Sequence, residues 1–181
     1  RGMYLPLLEM AVEEDPNNPR HMYYLGREYY YHNRFEEAAD MLLLYLDKSI
    51  FPAEKSYAYR ILSKCEPEEA EAHLLRAIAE HECRESFLDL ATFYHKEKRW
   101  EECLAVAMKS LEFTERDTSF LSDGNAWGHM PYDLVAVAAW NLGAYDTAYE
   151  YGKQAVEITP TDERLQNNLK FYQEKINGDT Q

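Results

Sequence analysis

The sequence predicts an all-helical solenoid built from antiparallel helix pairs, and three observations carry that prediction. A short phrase, an aromatic residue or proline followed by acids and a small residue, occurs four times. The copies are Phe35-Glu36-Glu37-Ala38, Pro67-Glu68-Glu69-Ala70, Trp100-Glu101-Glu102-Cys103 and Tyr145-Asp146-Thr147-Ala148. Ahead of each copy stands a small residue, at Gly26, Ala58, Ala91 and Ala136, with intervals of 32, 33 and 45 residues. Apolar residues otherwise recur at helical spacing, and no stretch alternates apolar and polar residues over strand length.

Each phrase reads as the start of the second helix of a pair. Acids in a first turn suit the positive end of the helix dipole, the bulky residue fills the gap between two helices, and the small one lets their backbones approach. In chain order, residues 1–18 are expected to form the second helix of a partial repeat, with Leu8 and Ala11 counted back from Pro16. A chain that starts in mid-repeat at Arg1 reads as a piece of something longer. Repeats are expected over 19–50 (Leu25, Gly26 and Tyr29, then Leu42 and Tyr45), 51–83 (Ala58 and Ile61, then Leu74 and Ala77) and 84–116 (Leu90, Ala91 and Tyr94, then Ala107 and Ser110). An insertion over 117–128 accounts for the longest interval and precedes a repeat over 129–160. Its apolar residues Phe120, Leu121 and Trp127 are expected to fold back over an apolar edge. Residues 161–177, with Leu165, Leu169, Tyr172 and Ile176 at helical spacing, form a solvating cap, after which Gly178 onward should fray. Short turns are expected near Asn33, Lys98 and Gly143.

The pattern resembles the tetratricopeptide repeat, a helix–turn–helix unit of about 34 residues. Asp15-Pro16-Asn17-Asn18 and Thr159-Pro160-Thr161-Asp162 look like its closing proline turn. The resemblance implies one repeat domain over 1–181 in which the first helix of each pair lines a concave face through repeat positions 2, 5, 9 and 12. Carried over, the first repeat contributes Arg20, Tyr23, Arg27 and Tyr30, and the second Lys55, Tyr59 and Leu62. The third contributes Glu85, Leu88, Thr92 and His95, and the last Met130, Asp133, Val137 and Trp140. Of these, Arg20, Tyr23, Arg27, Tyr30, Lys55, Tyr59, His95 and Trp140 form the candidate binding groove. Rigid aromatic area and carboxylate-recognising Arg are what binding hot spots use. Thr92 and Val137 stand where the lysine–asparagine clamp of chaperone-binding members would want asparagines, so that function is not implied.

Composition narrows the function further. The 33 acids against 19 bases leave a net charge of −14, whose field repels phosphate backbones, so nucleic acid is not an expected partner. The seven glycines form no phosphate loop, the six histidines lack zinc-ligand spacing, and no Asp-x-Asp occurs. Neither catalytic residue, metal nor cofactor is therefore expected of this chain. Three scattered cysteines, Cys65, Cys83 and Cys103, read as reduced thiols of a cytoplasmic protein, and no apolar run has membrane-spanning length.

A narrower resemblance lies in Asn18-Pro19-Arg20, Tyr24-Leu25-Gly26-Arg27-Glu28-Tyr29, Arg84-Glu85-Ser86, Ala126-Trp127-Gly128 before Pro131-Tyr132-Asp133-Leu134, and Asp162-Glu163-Arg164-Leu165-Gln166-Asn167-Asn168-Leu169. These segments are similar to the C-terminal repeat region of bacterial and phage family 2 glycosyltransferases. The likeness implies transferase chemistry in a preceding domain, and a role here in placing an acceptor or an assembly partner. The expected partner is a protein or peptide, such as that catalytic domain or a glycosylation acceptor. A stand-alone peptide-binding adaptor and a homo-oligomerisation module using the open N-terminal edge remain as alternatives.

Overall fold

The computed structural model describes residues 4–116 and 121–178, and its regular structure is helical throughout. Ten α-helices follow in order: α1 (Tyr4–Glu14), α2 (Pro19–Tyr31), α3 (Phe35–Lys48), α4 (Pro52–Cys65), α5 (Ala70–Glu80), α6 (Arg84–Lys96), α7 (Trp100–Leu111), α8 (Met130–Asn141), α9 (Tyr145–Ile158) and α10 (Glu163–Gly178). Short 3₁₀ turns, Pro67–Glu69 and Gly124–Trp127, precede α5 and α8. The phrase at Pro67 thus opens on a 3₁₀ turn, and α10 continues through Gly178 instead of fraying there. Phe120 lies outside the described residues.

The helices pack as two compact units that meet in sequence between Glu82 and Cys83. In the first, α2 pairs with α3 and α4 with α5, while α1 rests on α2. In the second, α6 pairs with α7 and α8 with α9, and α10 closes on α9.

The small residues do what their spacing implies. Gly26, Ala58, Ala91 and Ala136 are buried, as are Ala38, Ala70, Cys103 and Ala148 on the partner helices. At Gly26 the fit is tight: a β-carbon there would stand 2.7 Å from Cγ of Leu42. Burial pushes the Cys103 thiol up to about 11, which makes it a small core hydrophobe and a poor nucleophile.

Three of the four pairs share one turn. Asn33, Lys98 and Gly143 take positive φ of 59°, 57° and 77°. In each, two backbone bonds close the first helix: Arg34 N–H to Tyr29 O at 2.9 Å with Asn33 N–H to Tyr30 O at 3.0 Å, and their counterparts at Arg99/Lys98 and Ala144/Gly143. This Schellman arrangement satisfies carbonyls that would otherwise be orphaned at the helix end. A side-chain device accompanies two of the turns. Arg34 stacks 4.3 Å from the Tyr29 ring and binds Glu37, and Arg99 stacks 4.4 Å from Tyr94 and binds Glu102.

Two substitutions test this account. Gly26→Ala should destabilise the chain, because overpacking of about 1–3 kcal/mol outweighs a helix-propensity gain of about 1 kcal/mol. Gly143→Ala meets nothing within 4 Å, so its loss comes from positive φ alone, about 1 kcal/mol. Chemical denaturation midpoints check both, and an unshifted midpoint in either refutes the corresponding contact or turn.

Candidate functional site

Helix α2 carries five tyrosines, more than one apolar stripe can absorb, and the structure divides them. Tyr23 and Tyr29 are buried, Tyr24 and Tyr30 are half-buried, and Tyr31 is exposed. The expectation that Tyr23 lines an open groove does not hold. Its ring is 0% exposed and lies 4.9 Å from Tyr45 of α3, so it belongs to the core of the pair. A helix turns about 100° per residue, so the tyrosines that accompany Arg20 and Arg27 toward the surface stand one position later, at Tyr24 and Tyr31.

Helix α4 meets this stripe with Glu54, Tyr57 and Arg60. Arg20 donates from Nη1 to Glu54 Oε1 at 2.8 Å and stands 5.3 Å from the Tyr24 ring. Arg27 stands 5.2 Å from the Tyr23 ring and 5.3 Å from the Tyr57 ring, and shares a hydrogen bond with Tyr31. Burial works against its charge, yet the Tyr31 bond and the surrounding tyrosines raise its pKa further above the usual guanidinium value. Arg60 stands 5.5 Å from the centre of the same Tyr57 ring, whose hydroxyl is 3.2 Å from that of Tyr31. Burial, then the Tyr31 bond, push the Tyr57 hydroxyl up to about 12.

Two cavities flank Tyr31. One of about 350 Å³ is lined by Tyr4 and Leu8 of α1 with Tyr24, Arg27, Glu28 and Tyr31 of α2. The other, about 360 Å³, is lined by Tyr30, Tyr31, Asn33, Phe35 and Lys64. Both are walled by rings; the first carries Arg27 beside the Glu28 carboxylate and the second carries Lys64, so each pairs apolar surface with a cation that can meet a polar or acidic group.

The remaining expected site residues do not join this arrangement. Lys55 forms an ion pair with Glu80 of α5, and the Tyr59 ring stacks 6.2 Å from His73, also of α5. His95 and Trp140 belong to the second unit. There His95 sits edge-on to Trp100 at 5.6 Å, and Trp140 packs 5.0 Å from Tyr145 and 5.2 Å from Tyr172. Tyr24, Tyr31, Tyr57 and Arg60 were missed as site residues. Their repeat positions differ from those carried over, although the surplus of tyrosines in α2 signalled that some had to leave the core.

No family model and no curated protein matches the chain. Solved structures do. MamA superposes with a TM-score of 0.68 at 22% identity over 84% of this chain and 85% of that one. YrrB, described as a TPR protein with an unusual peptide-binding site, gives 0.74 at 16% identity over 94% and 84%. PilF of Pseudomonas aeruginosa gives 0.69 at 18% identity over 93% and 71%. At these identities the likeness establishes the fold: the chain is a tetratricopeptide-repeat solenoid in architecture.

The buried hydroxyls make alkaline stability a readout of this core. Tyr45 and Tyr57 are each pushed up to about 12, and Tyr23 is raised further, chiefly by burial. The folded chain therefore holds these protons where an unfolded tyrosine, near 10, has lost them. Stability from these groups is complete below pH 10 and is lost as pH rises from about 10 toward 12. Melting temperature should fall over that window. Phenolate absorbance should show a late-titrating class that Tyr57→Phe makes smaller. Uniform titration near 10 would refute the burial.

Proposed function

We propose that this chain is a non-catalytic protein-interaction scaffold whose first unit binds a peptide segment along Arg20, Tyr24, Arg27 and Tyr31. The observation that carries this reading is Arg27. Its guanidinium stands 5.2 Å from the Tyr23 ring and 5.3 Å from the Tyr57 ring, and it lines the first ring-walled cavity together with Tyr24 and Tyr31. Preorganised cations and aromatic surfaces give up little conformational entropy on binding. YrrB, whose description names a peptide-binding site, shares the fold. The reading differs from the groove first expected by replacing Tyr23 and Tyr30 with Tyr24 and Tyr31 and by leaving out Lys55, Tyr59, His95 and Trp140.

An immobilised array of peptides carrying Asp or Glu beside Leu or Phe, with Lys-substituted counterparts, tests it. Acidic members should be preferred, and Arg27→Ala should weaken them by roughly tenfold or more, as expected for loss of a charged hydrogen bond. Tyr31→Ala should weaken acidic and Lys-substituted peptides alike. Equal binding of acidic and Lys peptides, or indifference to both variants in a folded chain, would refute the site.

The narrower reading is a C-terminal repeat module of a family 2 glycosyltransferase that positions an acceptor or assembly partner. It rests on the sequence segments around Trp127–Leu134 and Asp162–Leu169. These two segments are joined by an ion pair between Arg164 Nη2 and Asp133 Oδ2 at 2.8 Å, which gives their pairing a structural reason independent of sugars. Coding sequence upstream of Arg1 decides this reading: a strand–helix pattern with Asp-x-Asp supports it, and any other domain overturns it. An oligomerisation role has one observation in its favour, the apolar residues Tyr4, Leu7 and Met10 exposed on α1. Light scattering across a concentration series measures it.

A further inference from the structure

The described end of the insertion, Asp123 to Trp127, docks on α6 through specific polar contacts. Glu85 holds position 2 of its repeat, the groove position that Arg20 holds in α2. Arg20 is exposed, whereas Glu85 is 6% exposed. Glu85 Oε1 accepts the indole N–H of Trp127 at 2.8 Å and the backbone N–H of Asp123 at 3.3 Å. The neighbouring Arg84, 7% exposed, places its guanidinium 4.6 Å from the Trp127 ring while donating to the Phe113 carbonyl at 3.1 Å. The 3₁₀ turn Gly124–Trp127 rests against both α6 and α8, and Asp123 caps it by accepting the Asn125 N–H at 2.9 Å.

Covering an apolar edge needs no charge. A buried carboxylate is costly unless donors meet it, and here they come from the insertion, with a guanidinium laid against the face of the same ring. The pair Arg84 and Glu85 thus reads a planar ring and its N–H at once, which is the specification of a receptor. We propose that Arg84 and Glu85 form a binding site for an indole, filled in cis by Trp127, and that a partner segment bearing an exposed tryptophan engages the second unit by displacing it. Tethering gives Trp127 a high effective concentration, so the site is closed to weak ligands and opens to one that brings further contacts.

The test uses the full chain, isotopically labelled, with N-acetyl-tryptophanamide as probe and amide shifts across Cys83–Leu88 as readout. Trp127→Ala should show saturable shifts there. The unaltered chain should bind the probe at least about tenfold more weakly, by competition from its own Trp127. Glu85→Gln in the Trp127→Ala background should lower affinity by roughly tenfold or more, and N-acetyl-phenylalaninamide should bind more weakly than the indole probe. Probe binding of equal strength in the unaltered chain and in Trp127→Ala overturns the proposal. So does absence of binding in a Trp127→Ala chain of unaltered helicity, or no preference for indole over phenyl. If Trp127→Ala fails to fold, the Glu85→Gln chain decides through hydrogen exchange at the Trp127 indole. Exchange at least about tenfold faster than in the unaltered chain supports the site, and an unchanged rate overturns it.

Discussion

Close approach of paired helices is the constraint on which the rest depends. Where α2 crosses α3, no room remains for even a β-carbon on Gly26, because Leu42 fills the space. The same exclusion returns at Gly152, where an added carbon would stand 2.9 Å from the Tyr172 ring of α10. Interiors packed this tightly tolerate little change in volume, so these positions set the register of each pair. Everything on the flanks, including which tyrosines reach solvent, follows from that register.

The turns make the pairing repeatable. A three-residue link, one residue of it in left-handed conformation, returns the chain so that the next helix lies back along the first. Glycine supplies this conformation without steric cost at Gly143, whereas Asn33 and Lys98 adopt it against a preference. At two of these turns an arginine stacked on tyrosine and bonded to glutamate adds a side-chain tie. The pair α4 and α5 does without the device, and its turn passes through a 3₁₀ segment at Pro67 instead.

Both candidate sites place arginine against aromatic faces. In the first unit Arg27 and Arg60 both lie near the Tyr57 ring, and in the second Arg84 lies over Trp127. Partial burial strengthens such contacts because less water competes for the cation. It also fixes each side chain, so a charge in an otherwise acidic chain is presented in one defined place. The net charge of −14 therefore describes the average surface and not the local surface around these arginines.

The helix pairs, their turns and their crossing points were legible in the sequence because each is local: a small residue, an acid-rich first turn and a turn residue recur at fixed spacing. Gly26 against Ala38 or the turn at Gly143 needs no knowledge of distant contacts. The site was legible only in kind, as arginine with tyrosine on α2. Tyr23 and Tyr24, like Tyr30 and Tyr31, are neighbours of one residue type, and one step along a helix is about 100° around it. Composition cannot distinguish them. Tyr45 of α3 draws Tyr23 inward, Tyr57 of α4 draws Arg27 and Tyr31 together, and Trp127 reaches back 42 residues to Glu85. Those choices belong to contacts between elements, which is why tertiary structure alone decided which side chains reach the surface and which hold the fold.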